Sequence, residues 1–350
     1  MFSINALRDW FLSSGRDLPW RTNRSPYSVW VSEVMLQQTR ASVVISYYER
    51  WMKRFPTIEA LASADLDEVL KMWEGLGYYS RARNLHAGAK EILSIYRNSF
   101  PRTEKELLTI PGIGLYTAGA IRSFAFGEKA SAVDGNVLRV IARLYGIKED
   151  IGSTSTKQKI DGLVNQLLPN DEPAVVMEGL IELGAQLCLP SSPHCTTCPL
   201  QQECKANKQN LVHLLPLKRK RQKMRQIHRF VPVITAGVSW LVRRGEKGKV
   251  MQDLYEFPYF DVEGKEYSIR TLQERVQAAL SLKISPAGKM REVTHTYTRY
   301  HATLTPHLFT ARGEKVIPHY EWLTLDALQS KPFSSGHKKI LHEIIQEHSL

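Results

Sequence analysis

All four cysteines of this 350-residue chain lie within seventeen residues, at Cys188, Cys195, Cys198 and Cys204. The spacing is Cys-x6-Cys-x2-Cys-x5-Cys, with Pro199 after the third. Four thiolates in one short loop can enclose an iron–sulfur cluster or a metal ion, and no cysteine remains for a disulfide. Zinc ribbons usually carry two Cys-x2-Cys pairs separated by a longer spacer. Only one such pair is present, so a cluster is expected, with zinc as the alternative. A second chemical signal is Pro111-Gly112-Ile113-Gly114, within LLTIPGIGLYTAGAIRSFAF. Glycines at 112 and 114 permit a tight hairpin whose backbone amides, opening the next helix, can hold a phosphate oxygen without reading a base. A plain connection between two helices is the alternative reading. Asp134 follows about twenty residues later, in Val133-Asp134-Gly135-Asn136-Val137, where it can cap a helix.

The elements that must position these groups are mostly helical. Apolar residues recur at helical spacing over Asn5–Leu12, Tyr27–Thr39, Ala41–Phe55 and Arg81–Tyr96, with Pro19, Pro26, Pro56 and Pro101 as breaks. The pattern changes after Cys204. A basic run (Lys218, Arg219, Lys220, Arg221, Lys223, Arg225) reads as a solvated linker or a DNA contact. Strands are expected at Phe230–Val242 and Arg299–Thr310, and helices at Arg270–Leu280 and His337–Glu347. An all-α half followed by an α+β half results.

Composition limits the partners. The formal net charge is +12 with pI near 9.5, which implies an anionic partner: nucleic acid is expected, with a membrane surface as the alternative. No apolar run is long enough to span a membrane, and Met1–Trp10 lacks the layout of a signal peptide. A reducing cytoplasm is the expected location, and it suits thiolates used as ligands.

Together the hairpin, Asp134 and the cysteine loop resemble the endonuclease III superfamily of base-excision DNA glycosylases. Arg16-Asp17-Leu18-Pro19-Trp20-Arg21, Val31–Arg40 (VSEVMLQQTR) and Trp73–Arg81 (WEGLGYYSR) narrow the resemblance to MutY-type adenine DNA glycosylases. It is dense over residues 1 to about 210 and fainter beyond. It implies a monomeric, nucleoid-associated repair enzyme acting on double-stranded DNA with 8-oxoguanine:adenine or guanine:adenine mispairs, with no membrane contact. Its cofactor would be a [4Fe-4S] cluster. The implied architecture is a two-lobed helix-hairpin-helix domain over residues 1–210, a basic linker over 211–228 and a Nudix-like domain over 229–350. One lobe is a six-helix barrel over about 22–130; the other joins residues 1–21 to 131–210 and holds the cluster.

The chemistry follows from residue types. Glycoside cleavage uses one protonated and one ionised carboxyl. Glu33 sits among Val31, Val34, Met35 and Leu36, where desolvation should raise its pKa so that it can protonate adenine N7. Asp134, at a helix N-terminus, should stay ionised and stabilise the cationic sugar. Lyase-competent relatives place a Schiff-base lysine where this chain has Tyr116, and a phenol cannot form that adduct; Tyr116 is expected to bond near Asp134 and the sugar. The resemblance assigns Arg16, Arg21 and Glu178 to the adenine pocket. It assigns Gln38, Leu76 and Tyr78 to filling the gap left by an extruded base, with Thr39 near the orphan base. Core packing is the plainer reading of Leu76 and Tyr78, and an exposed carboxylate that of Glu178.

Three departures stand out. Relatives carry basic residues between the first two cysteines, whereas this loop reads Leu189-Pro190-Ser191-Ser192-Pro193-His194. Leu254-Tyr255-Glu256-Phe257-Pro258 is the Nudix-like signature, yet residues 264–281 lack the glutamate-rich helix that metal-dependent hydrolysis needs. The family's Phe-Ser-His loop for 8-oxoguanine corresponds to Tyr297-Thr298-Arg299, which keeps an aromatic ring and a hydroxyl but loses the histidine. Two other functions fit parts of the sequence: a glycosylase–lyase acting on oxidised pyrimidines, which Tyr116 opposes, and a cluster-bearing DNA-binding protein without catalysis.

Overall fold

A computed structural model describes residues 4–219, 224–262, 268–297 and 299–348. The chain divides into two compact units, Met1–Ser63 with Asn84–Lys220, and Ala64–Arg83 with Arg221–Leu350. Residues 64–83 thus group with the C-terminal unit rather than with the lobe expected at 22–130.

The first unit is helical. Its central helix, Pro26–Leu36, starts where Pro26 occupies the first turn and the Ser25 side chain accepts from the Ser28 amide. Every residue from Tyr27 to Met35 is buried. A helix surrounded on all sides has no polar face, so Glu33 is carried into the interior by its position alone. The expected helix 27–39 stops at Leu36, and Gln38 adopts φ +59°. That left-handed conformation is costly for a residue other than glycine and gathers at functional sites. Helix Pro173–Gln186 packs between Ile4–Ser14 and Gly135–Tyr145. Gly184 allows the latter approach, because a Cβ there would lie 2.5 Å from the Asn136 Cβ.

The second unit holds an eight-stranded sheet: β1 (Arg225–Ala236), β2 (Ser239–Arg244), β3 (Tyr255–Glu256), β4 (Phe260–Val262), β5 (Ile284–Lys289), β6 (Val293–Tyr297), β7 (Tyr300–Ala311) and β8 (Tyr320–Thr324). Its main path runs β3-β2-β1-β7-β5, with β4 on β1, β6 on β7 and β8 on β2. Among the described strand pairs, β1–β7 is the parallel one. The run Phe230–Val242, expected as one strand, is a hairpin that turns at Gly237 with φ +61°. β1 alternates its apolar residues. Val231 and Val233 pack with Ile340, Leu341 and Ile344 of helix Ser335–His348. Phe230 and Ile234 pack with Leu272, Val276 and Leu280 of helix Ile269–Leu280.

Candidate active site

A cleft of about 1240 Å³ in the helical unit is lined by Arg16, Arg21, Glu33, Gln38, Thr39, Tyr116, Asp134 and Glu178. Residues far apart in the sequence are thereby brought to one surface. Glu33 is 6% exposed. Burial raises its pKa to about 7, and the nearby Asp134 and Glu178 carboxylates push the same way; a hydrogen bond from Tyr116 and the charge of Arg21 oppose them. The Tyr116 hydroxyl donates to Glu33 Oε2. Asp134 lies close enough to act on the same phenol: burial, the Glu33 and Asp134 charges and the Glu33 bond all raise the Tyr116 pKa. The hairpin feeds Tyr116 into the first turn of helix Leu115–Ala120, two residues after the N-cap Gly114.

Asp134 caps helix Gly135–Tyr145. Its Oδ1 accepts from the amides of Asn136 and Val137, both at 2.8 Å, and its Oδ2 accepts from Asn136 Nδ2 at 2.8 Å. Burial raises its pKa, while these bonds and the Arg139 charge act to lower it. The helix terminus does not set the sign, contrary to the simple capping argument. The donors still favour the ionised form, because both oxygens accept and neither has to donate. From Asn136 the bonding continues: Arg139 Nη2 donates to Asn136 Oδ1 at 2.8 Å and Arg139 Nε to the Cys188 carbonyl at 2.7 Å.

One wall of the cleft carries an ion network of Arg16, Arg21, Arg24, Glu178 and Glu182 that the sequence reading missed in part. Glu182 is fully buried and accepts from Arg16 Nε at 2.6 Å, Arg16 Nη2 at 3.0 Å and Arg21 Nη2 at 2.8 Å. Burial pushes its pKa upward, but the two guanidiniums prevail and hold it at about 2. Glu178 is buried too, contrary to its plainer reading, and pairs with Arg24 at 2.9 Å; burial raises its pKa. Arg24 and Glu182 were missed. Their only sequence signal is three arginines within nine residues around Pro19-Trp20, which need buried acids nearby.

Gly112 and Gly114 shape the hairpin. Gly112 has φ +83°, and a Cβ there would meet the Asn84 Cβ at 2.7 Å. Gly114 has open space around its Cα, so a ligand can approach its backbone. Leu76 and Tyr78 belong to the C-terminal unit: Leu76 is buried and Tyr78, with φ +48°, is 47% exposed. Tyr297 ends β6, pairs with Tyr300 across the β6–β7 turn and stacks on His295 at 5.1 Å. Thr298 lies outside the described residues.

The four cysteines line one small cavity with Leu187, Pro193, Val212 and Arg143. Burial raises the thiol pKa values of Cys195, Cys198 and Cys204, that of Cys198 to about 11. Arg143 is 2% exposed; it donates to Cys188 Sγ at 3.3 Å and to the carbonyls of Leu189, Pro190 and Leu215. No group of three or more His, Cys, Asp or Glu among the described residues is arranged to hold a metal ion. Four sulfurs on one cavity beside the Arg143 guanidinium are donors of the thiolate type.

The helical fold and the carboxyl pair in its cleft define a base-excision DNA glycosylase. Residues 31–166 match the model of the HhH-GPD superfamily of base excision DNA repair proteins, and residues 230–343 match a NUDIX domain. A thermostable thymine-DNA glycosylase has a similar fold, with TM-score 0.54 and 28% identity over 59% of this chain and 95% of that one. The adenine DNA glycosylase of Rattus norvegicus is 33% identical over 98% of this chain and 77% of its own length; that of Homo sapiens is 33% identical over 96% and 72%. The chain belongs to the adenine DNA glycosylase family. It is a DNA-binding base-excision repair enzyme, and no helix among its described residues is long and apolar enough to cross a membrane.

Proposed function

We propose that the enzyme hydrolyses the N-glycosidic bond of adenine mispaired with 8-oxoguanine or guanine, and leaves the abasic site uncut. The observation that carries this reading is the convergence of Glu33 and Asp134 on one cleft, in environments suited to different protonation states. Glu33, with a pKa near 7, gives its proton to N7 of an extruded adenine. The C1′–N9 bond breaks, its electron pair leaves with the now neutral base, and positive charge develops on the sugar. Asp134 stabilises that charge as a carboxylate, directly or through a transient bond to C1′. Water adds to C1′, displacing Asp134 where the transient bond has formed, and the proton that the water loses passes to Glu33, while the proton first donated leaves with the base.

Arg16, Arg21 and Glu178 hold the adenine edge. Gln38, Leu76 and Tyr78 fill the vacated stack, with Thr39 beside the orphan base, and the amides at Gly112 and Gly114 hold a phosphate. Tyr297, at the end of β6, and Thr298 read 8-oxoguanine. Cys188, Cys195, Cys198 and Cys204 would hold a [4Fe-4S] cluster, which when bound supplies a rigid core to its loop; the donor chemistry and Arg143 support that choice. The domain boundaries near residues 210 and 228 belong to the same reading.

Two readouts on one duplex test the reaction. Adenine should be released from an 8-oxoguanine:adenine duplex, and borohydride should trap no covalent complex, because Tyr116 offers no amine. A stoichiometric trapped complex would mean lyase chemistry; no adenine release would exclude the proposed substrate.

A further inference from the structure

The loop Glu74–Tyr79 is held in an unusual backbone path. Gly75, Gly77 and Tyr78 have φ of +111°, +70° and +48°. Trp73 Nε1 and Arg81 Nη2 donate to the Gly77 carbonyl at 3.0 and 3.1 Å, and Arg81 Nη2 also donates to that of Leu76 at 3.0 Å. Tyr78 departs from the conformations open to L-residues at low energy, so its surroundings must over-determine it.

Those surroundings come from the last third of the chain. Glu74 is buried, its Oε1 accepts from the Phe333 amide at 3.0 Å, and its Oε2 pairs with Lys338 at 2.5 Å and Lys71 at 3.3 Å. Tyr79 donates its hydroxyl hydrogen to the Phe333 carbonyl at 3.4 Å. Phe333 is itself fixed by the Leu254–Pro258 signature: Tyr255 donates its amide to the Pro332 carbonyl at 2.8 Å and accepts from the Ser334 amide at 3.2 Å, while the Phe257 ring packs on Phe333 at 5.7 Å. Further along the segment, Asp67 pairs with Arg244 at 2.7 Å and Lys331 at 3.1 Å, and Arg83 donates to the Gln252 carbonyl at 2.8 Å. All these residues lie within the C-terminal compact unit.

We infer that Glu74 is a positioning residue: it latches the loop carrying Leu76 and Tyr78 to Phe333 and Lys338, so that the Nudix-like fold sets the geometry of base extrusion. The inference rests on the reading of Leu76 and Tyr78 as gap-filling residues. It also gives the Leu254–Pro258 signature a structural use that needs no hydrolytic metal site. A buried carboxylate meeting an amide and two ammonium groups is directional, whereas apolar packing alone would let the loop slide.

The test measures extrusion separately from chemistry. An 8-oxoguanine:adenine duplex with 2-aminopurine beside the adenine is mixed with full-length protein in a Glu33→Gln background, and the rise in 2-aminopurine emission is followed. Tyr78→Ala, Glu74→Ala and the double variant are compared, with Lys338→Met repeating the test should Glu74→Ala fail to fold. The latch predicts that Tyr78→Ala and Glu74→Ala each slow the emission rise roughly ten- to a hundredfold. It further predicts that the double variant is no slower than Tyr78→Ala, because Glu74 acts through that loop. With Glu33 restored, Glu74→Ala should leave the pH midpoint of adenine release unmoved. A normal rise with Tyr78→Ala would remove the gap-filling reading and the latch with it. A slow Tyr78→Ala beside a normal Glu74→Ala and Lys338→Met, or additive effects in the double variant, would overturn the latch alone.

Discussion

Tyr116 donates its hydroxyl hydrogen to Oε2 of Glu33, so its phenol adjusts the acidity of the carboxyl that we propose as the general acid. Burial lifts Glu33 to about 7 and the Tyr116 bond restrains the rise. In the proposed mechanism adenine leaves only from protonated Glu33, so the rate should fall as pH rises through about 7. Tyr116→Phe removes the restraint and should move this alkaline limb to higher pH. Single-turnover rates across pH 5–9 (approximate limits for a Glu33 pKa near 7) check both statements; a limb displaced to lower pH would contradict them.

The same buried carboxyl works against stability. Its folded pKa lies above its unfolded value, so the native state binds the proton more tightly, and its contribution declines as pH rises from the ordinary carboxyl range through about 7. Glu33→Gln keeps the shape and cannot ionise. It should be more stable than the parent at pH 8 by roughly 1–3 kcal/mol, with a smaller difference at pH 5. Urea denaturation at the two pH values checks this.

Glu182 has the opposite sign. Held at about 2 by Arg16 and Arg21, it contributes stability above its unfolded value that is lost as pH falls toward its folded one. Glu182→Ala should destabilise the protein by about 3 kcal/mol, the low end for a broken buried pair because Arg16 is partly exposed. The loss should shrink on acidification below pH 4. Adenine binding should weaken as well, since both guanidiniums lose their anchor.

How far these features were legible depended on whether the cause was local. Helix Pro26–Leu36 announced itself through its apolar spacing and the break at Pro26, and Asp134 through its place before Gly135 and Asn136. Gln38 did not, because nothing in its chemistry favours φ +59°. Gly237 was overlooked because β-branched residues flank it, although a lone glycine between two such runs is what a hairpin requires. Glu182 and its arginines are more than 160 positions apart, and no periodicity links them. The grouping of residues 64–83 with the C-terminal strands rests on equally distant pairs, such as Glu74 with Phe333.

The cysteine loop should stand or fall with its cofactor. The purified protein should carry roughly four iron atoms per chain. Cys198→Ser should lower the iron content and expose the loop to limited proteolysis near Leu189–His194. Zinc in place of iron, at one atom per chain, would contradict the cluster assignment.

The most direct measurement is single-turnover adenine release from an 8-oxoguanine:adenine duplex by the parent, Glu33→Gln and Asp134→Asn, with binding to the same duplex measured in parallel. Each substitution should lower the rate by roughly a hundredfold or more, on the scale of losing a general acid or a preorganised charge, while binding changes little. Release at the parent rate by either variant would contradict the division of labour between the two carboxyls.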